Sequence, residues 1–145
     1  MVKSNGSYPD IELGQTWSEF TILQIENNQA NAELVTQLIA RRMDLKLLTA
    51  THGLQGVEMA RTHQPALILM DMMMPQLSGL ETLTLLHADA ETSHIPVIIV
   101  SSNAFPGVGE KCLAAGALAY LTKPYKIEDL MALIDTGLSY ATATQ

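Results

Sequence analysis

Short apolar runs alternate along most of the chain with longer stretches in which apolar residues recur every three or four positions. The short runs predict β-strands, and the longer stretches predict helices that bury one face. The predicted strands are residues 21–25, 45–50, 66–70, 96–100 and 118–121. The predicted helices are residues 29–42, 53–63, 79–88, 107–115 and 127–138. Strand–helix units with almost wholly apolar strands predict an α/β fold, in which a five-stranded parallel sheet carries helices on both faces.

Capping residues and apolar faces support the predicted helices. Ser78, with Glu81 three residues later, is typical of a capping box at the start of the third helix. Gly116 can end the fourth helix in the left-handed conformation. Each of the two outer helices is predicted to carry its apolar residues on one face: in the first helix Leu34, Val35, Leu38 and Ile39, and in the last helix Ile127, Leu130, Leu133 and Ile134.

The pattern also divides the chain. Residues 1–19 are rich in small and polar residues and predict an N-terminal tail or linker, which contains Trp17. Residues 20–140 predict one domain, and residues 141–145 a C-terminal tail. No output domain is expected in the few residues after the last helix.

Composition narrows the function. The 145 residues are 48% hydrophobic and 16% charged, as in a globular domain, and no apolar run approaches the ~20 residues of a membrane span. The net charge of −7 disfavours nucleic-acid binding. Cys112 is the single cysteine, which excludes an internal disulfide and a cysteine-based zinc site. We expect a half-buried thiol in a chain without a secretion signal, located in the cytoplasm.

Polar residues follow the predicted strands. Right-handed crossovers bring all strand-to-helix loops to one edge of the sheet, so Glu26, Asn27, Asp71, Ser101 and Lys123 are expected to meet there. A strand-end aspartate alone is most often a turn former. An acid, a hydroxyl and an amine that each end a strand instead predict a site that accepts a phosphoryl group.

Four segments carry a resemblance to a known family, the CheY-like receiver domains of two-component response regulators. The resemblance covers residues 20–138 and implies a flavodoxin-like, doubly wound (βα)5 fold. The segments are Ile22-Leu23-Gln24-Ile25-Glu26-Asn27-Asn28, Asp71-Met72-Met73-Met74-Pro75 with Gly79, Pro96-Val97-Ile98-Ile99-Val100-Ser101-Ser102-Asn103-Ala104, and Gly116-Ala117-Leu118-Ala119-Tyr120-Leu121-Thr122-Lys123-Pro124.

The resemblance implies a role for each site residue. Asp71 would accept a phosphoryl group from a phosphohistidine on a histidine kinase or phosphotransfer domain. Lys123 would pair with the Asp71 carboxylate and then with the phosphoryl oxygens, and Ser101 would hydrogen-bond the phosphoryl group. Tyr120 would be the aromatic switch that responds to Ser101. Such a receiver is a phosphoacceptor and not an enzyme in its own right.

The resemblance also implies a Mg²⁺ site formed by Glu26, Asn27, Asp71 and the backbone carbonyl of Met73, and a cis peptide bond before Pro124. Oxygen ligands of this kind suit Mg²⁺. Position 27 departs from the family pattern, because a second acid usually stands there. We therefore expect Mg²⁺ binding weakened by about one to three kcal/mol, and slower phosphotransfer.

Two other functions remain open. The chain could be a degenerate receiver that acts as a phosphorylation-independent interaction module, which Asn27 favours. A phosphatase of the haloacid-dehalogenase type also uses a strand-end aspartate but requires a second acid two residues later, where this chain has Met73. No metal-binding spacing relates the four histidines, so we predict that they lie at the surface. They are His52, His63, His87 and His94.

The segment around Phe105 and the segment around Tyr120 resemble receivers attached to hybrid sensor histidine kinases. The chain is therefore interpreted as either a stand-alone regulator or part of such a kinase. Leu118 and Ala119 stand before the switch aromatic, where dimerising receivers usually carry charges. We expect a monomer or weak dimer that contacts neither nucleic acid nor the membrane interior.

Overall fold

The computed structural model describes residues 20–102 and 105–143, with side chains described as far as residue 141. Its strands are β1 (Phe20–Ile25), β2 (Leu45–Ala50), β3 (Leu67–Met70), β4 (Val97–Ser101) and β5 (Ala119–Thr122). Its helices are α1 (Gln29–Ile39), α2 (Gly53–His63), α3 (Gly79–Ala88), α4 (Val108–Ala114) and α5 (Ile127–Ala143). The predicted order of elements is confirmed. The predicted tail, with Trp17, lies outside the described residues.

All strand pairs are parallel, and the order across the sheet is β2-β1-β3-β4-β5. The chain therefore moves outward from β1 to β2 and then returns to the opposite side of β1 for β3. This reversal makes a switch point between β1 and β3, where the loops leave the sheet in opposite directions. In open α/β sheets, ligands bind in the crevice at such a point.

Alternate residues of each strand enter two separate cores. On one face, Leu23 and Ile25 of β1 pack with α2, α3 and α4. On the other face, Ile22 of β1 and Leu67 of β3 pack with α1 and α5. Because successive side chains of a strand point to opposite faces, strands buried on both sides must be apolar at nearly every position. β3 and β4 are buried throughout, which explains their unbroken apolar sequences.

Three glycine and cap features position the helices. Ser78 Oγ accepts from the N–H of Glu81, whose carboxylate accepts from the N–H of Ser78, so the predicted capping box of α3 is confirmed. Gly116 has a φ of 112°, the left-handed conformation that was expected after α4. Gly56 faces Ile25 so closely that a side chain there would overlap the isoleucine.

Two helix ends differ from the predictions by more than one residue. α1 ends at Ile39 rather than 42, because the N–H groups of Arg41 and Arg42 bond the carbonyls three residues back and form a tighter turn. α5 continues to Ala143 instead of stopping at 138, so most of the predicted C-terminal tail is helical. The apolar pattern stops at Leu138 because the buried face ends there, while no glycine or proline interrupts the backbone that follows.

Candidate functional site

The backbone brings four of the predicted site residues to one edge of the sheet. Ile25 pairs with Met70 in register, so Glu26 and Asp71 leave neighbouring strands side by side at the switch point. The N–H of Asp71 donates to the Ile25 carbonyl at 3.0 Å, and the N–H of Lys123 donates to the Ser101 carbonyl at 2.8 Å. These bonds extend the backbone hydrogen-bond ladder of the sheet one residue past the strands. They therefore fix the backbone positions of Asp71 and Lys123.

The loop after β3 holds the Asp71 carboxylate. Its Oδ1 accepts from the N–H of Met73 at 3.3 Å, and the Met72 carbonyl accepts from the N–H of Gly79 at 2.9 Å. Asp71 is only 9% exposed. The loop is thus folded back onto the start of α3, and the acid lies at the base of a cleft rather than at a loop tip.

Gly79 is required by this close approach. A Cβ atom at position 79 would lie 2.5 Å from the Asp71 carbonyl oxygen and 2.7 Å from the Met72 Cα. Both are backbone atoms that cannot rotate away. We expect Gly79→Ala to lower the free energy of unfolding by about 1–3 kcal/mol, the usual cost of overpacking, as measured by urea denaturation.

Gly109→Ala is the matched control for Gly79→Ala. Its added Cβ would meet Tyr120 at 3.5 Å, which is an ordinary contact, and alanine favours a helix by up to about 1 kcal/mol. Stability should therefore stay the same or rise in this variant. Equal losses in the two variants would show that the backbone approach at position 79 is not what requires glycine.

Lys123 contacts Glu26 rather than Asp71. Its Nζ lies 3.5 Å from Glu26 Oε1, while Glu26 Oε2 accepts from the N–H of Asn28 at 3.0 Å. The resemblance implied a pairing of Lys123 with Asp71. Glu26 is 8% exposed, so it has lost most of its water, and the ammonium replaces part of that lost solvation.

The site carries more negative than positive charge. Burial raises the pKa of Glu26 above its ordinary value; the Asn28 N–H lowers that pKa, the Asp71 carboxylate raises it, and Lys123 lowers it. The pKa of Glu26 stays raised because burial, together with repulsion by Asp71, outweighs the stabilising effects of the Asn28 N–H and the Lys123 ammonium. This donor set of nearly buried, mutually repelling carboxylates fits a hard divalent cation.

The raised pKa of Glu26 makes a prediction for how stability depends on pH. An acid that holds its proton more tightly in the folded state makes stability fall as pH rises from the ordinary glutamate pKa through the raised one. The cost is complete above the raised pKa and absent below the ordinary value of 4.5. Without divalent cations, Glu26→Gln should therefore increase the free energy of unfolding at neutral pH, and the increase should vanish as pH falls.

Denaturant titrations between pH 4 and pH 8, in chelator, measure this effect. Glu33→Gln is the control, because Glu33 is an exposed glutamate on α1 and its neutralisation removes the same formal charge. A gain at neutral pH in both variants would assign the effect to overall charge rather than to the burial of Glu26 beside Asp71.

Asn27 lies at the outer side of the site. Its side chain is exposed, and its Nδ2 donates to the Thr51 carbonyl at 3.4 Å, which links the end of β1 to the loop after β2. Among residues 20–102 and 105–143, no group of three or more His, Cys, Asp or Glu is arranged to hold a metal. An acid at position 27 would supply the third carboxylate that this arrangement lacks.

Ser101 and Tyr120 lie on neighbouring strands. Ser101 is fully buried at the end of β4 and pairs in register with Thr122, while Tyr120 pairs with Ile99. Residues two apart on a strand share a face, so both side chains point toward the α4 side of the sheet. Tyr120 is half-buried and its ring lies against Gly109 of α4.

The single cysteine and two of the histidines, His52 and His87, have structural positions in the fold. The predicted burial is wrong for Cys112 and for His87. Cys112 is fully buried, not half-buried, because α4 turns it into the core beside Met72. His87 is half-buried and not a surface residue: its Nε2 is buried against Gly116 and has no hydrogen-bond partner among residues 20–102 and 105–143. His52 accepts from the N–H of Gln55 and caps α2.

Sequence reasoning missed two residues that shape the site. The N–H of Asn28 holds Glu26, and Asn28 also caps α1 through the N–H of Asn31. Gln24 is 2% exposed within β1, and its Nε2 donates to the Ala32 carbonyl and to Thr49 Oγ1, both at 3.1 Å. An amide within an apolar strand is the signal that could have identified this cross-link.

Residues 22–135 match the sequence profile of the response regulator receiver domain. The chain belongs to this family. The receiver is 35% identical over 121 residues to the polar-differentiation response regulator DivK of Brucella anthropi, a match that covers 83% of this chain and 98% of that protein.

Solved receivers share the fold. The receiver domain of sensor histidine kinase PA1611 from Pseudomonas aeruginosa is 27% identical, with a TM-score of 0.76, over 84% of this chain and 99% of that one. That structure has a magnesium ion coordinated in the active-site cleft. The receiver domain of a histidine kinase from Syntrophus aciditrophicus is 25% identical, with a TM-score of 0.75, over 83% of this chain and 90% of that one.

The comparisons confirm that this chain is a receiver domain of two-component signalling, with the predicted flavodoxin-like fold. Phosphoryl acceptance is the general property of receivers. In the described part of this receiver, no helix is both long enough and apolar enough to cross a bilayer.

Proposed function

We propose that Asp71 accepts a phosphoryl group from a phosphohistidine in a two-component phosphorelay. One observation carries the proposal: the Asp71 carboxylate lies nearly buried at the switch point, beside Glu26 and its partner Lys123. A carboxylate oxygen attacks phosphorus, the phosphorus–nitrogen bond breaks, and its electron pair returns to the imidazole, which takes up a proton. Asp71 then carries an acyl phosphate.

The neighbouring residues stabilise charge on the transferred oxygens. Lys123 pairs with Glu26 and lines the same cavity as Asp71, so it can turn from Glu26 to the phosphoryl group, and the Ser101 hydroxyl can donate to that group. Glu26, Asp71, the Met73 carbonyl and Asn27 would hold Mg²⁺, which neutralises phosphoryl oxygen charge when bound. We propose that this binding is weaker than in receivers with a third acid, because Asn27 offers a neutral oxygen.

The output follows from the shared face of Ser101 and Tyr120. A serine drawn toward the phosphoryl group leaves space beside β5, on the side where Tyr120 lies against α4. Inward movement of the ring would change the surface of α4 and β5. We propose this Ser101–Tyr120 coupling as the signal that a downstream partner reads.

The proposed phosphodonor is a histidine kinase or a histidine phosphotransfer domain, and the proposed location is the cytoplasm. Two solved receivers of similar fold belong to histidine kinases, which supports this donor class. The alternative is a phosphorylation-independent interaction module. Asn27 and the absence of a third metal-binding acid among residues 20–102 and 105–143 favour that alternative.

Mass spectrometry after incubation with a small phosphodonor distinguishes the two functions. With Mg²⁺ we expect a gain of one phosphoryl group, on the peptide that contains Asp71, and no gain in chelator. No gain under conditions that label an ordinary receiver would reject phosphoacceptance and leave the interaction module.

A further inference from the structure

A cavity of about 340 Å³ lies between α1 and α5, on the face of the sheet opposite α2, α3 and α4. Its walls are mainly aliphatic, and it opens near the carboxyl edge of the sheet. The aliphatic residues of these walls include Leu34, Val35, Leu69, Val100, Ile127 and Leu130. This size and lining are typical of small-molecule sites.

The cavity exists because the two helices do not close over the sheet. α2 and α3 approach each other closely, whereas α1 and α5 have few or no close backbone contacts. Leu34 and Ile127 belong to the apolar faces predicted for these helices, yet they are 49% and 45% exposed. They stand at the rim of the cavity instead of meeting across it.

The end of the cavity at the carboxyl edge of the sheet is charged. Glu26, Asp71 and Lys123 line it, which gives a net formal charge of −1 beside an aliphatic chamber. The Gln24 amide also lines it and is held in place by its bonds to the Ala32 carbonyl and Thr49. A ligand that fills the walls therefore places its polar end against an uncompensated carboxylate.

We propose that this cavity binds a small organic amine, with an aliphatic body between α1 and α5 and a protonated head at Glu26 and Asp71. An alkyl ammonium fits both the aliphatic walls and the carboxylate end of the cavity. Its amine has a pKa like that of lysine, so it is charged at neutral pH. A carboxylate head would meet net repulsion, and a neutral head would leave the charge unbalanced. This binding goes beyond phosphoacceptance and does not depend on it.

Titration calorimetry with butylamine, hexylamine and octylamine in chelator tests the proposal. Each added methylene should tighten binding about fourfold, the factor that corresponds to ~0.8 kcal/mol per buried CH₂. Hexanol and hexanoate should bind at least fivefold more weakly than hexylamine. Equal or tighter binding of hexanoate, or no dependence on chain length, would overturn the proposal.

Two substitutions in the cavity and one control outside it test whether hexylamine binds there. Leu34→Gln removes an exposed wall residue and should weaken hexylamine binding at least threefold. Leu54→Gln is its match, because Leu54 is a leucine of α2 that is 58% exposed and lies away from the cavity. Val35→Phe should fill the chamber and weaken binding further. Similar affinities in the Leu34 and Leu54 variants would place the amine elsewhere and reject this site.

The head group is tested separately. Asp71→Asn should weaken hexylamine at least fivefold and leave hexanol unchanged, since only the charged head requires the carboxylate. An unchanged hexylamine affinity in this variant would contradict the assignment of the head. Because no arm of the test uses a phosphodonor, failure here leaves the proposed phosphoacceptor function untouched.

Discussion

Replacement of Asp71 by asparagine is expected to abolish phosphoryl uptake while the fold is retained. An amide has no nucleophilic oxygen anion, so the bond to phosphorus cannot form. The shape of the side chain is kept, and its Oδ1 can still accept from the N–H of Met73. The pKa of Glu26 is raised by burial and, to a smaller extent, by repulsion from Asp71, and removal of the Asp71 charge relieves that repulsion. Stability at neutral pH should therefore not fall.

Intact mass after incubation with phosphodonor and Mg²⁺ measures the effect, and urea denaturation checks the fold. Asp135→Asn is the control, because Asp135 is an exposed aspartate of α5 that pairs with Arg42 at the surface. It should take up one phosphoryl group like the unmodified protein. Full uptake by Asp71→Asn would place the acceptor on another residue and reject the proposed function.

Introduction of a third acid should have the second large effect. We expect Asn27→Asp to raise Mg²⁺ affinity by about 5- to 150-fold, which corresponds to the one to three kcal/mol of a charged contact. Glu26 and Asp71 already repel each other, and an added carboxylate increases the attraction for a divalent cation. Faster phosphoryl uptake should accompany tighter binding. Calorimetric titration with MgCl₂ gives the affinity.

Asn28→Asp provides a control that differs by one position. It adds the same charge, and aspartate caps a helix as well as asparagine does, so α1 should keep its bond from the N–H of Asn31. A small rise in affinity is expected from charge alone. If both variants bind Mg²⁺ equally, or if Asn27→Asp binds no more tightly than the unmodified protein, then position 27 does not contact the metal.

Much of the site was predictable because its residues are placed by strand ends. Asp71, Ser101 and Lys123 each follow an apolar run, and parallel strands with right-handed crossovers bring such positions to one edge. The same rule placed Glu26 next to Asp71. The contacts among the side chains were not predictable, since they depend on where each side chain turns after its strand ends. Lys123 accordingly pairs with Glu26 in this structure.

The sequence by itself determined the type and order of the elements, the capping box at Ser78 and the left-handed Gly116. These features depend on residues within a few positions of one another. Only the tertiary structure decided the complete burial of Cys112, the buried Nε2 of His87 and the open space between Leu34 and Ile127. Each of these depends on how closely two distant elements approach. Hydrophobic periodicity gives the direction a helix faces but not the gap that remains across it.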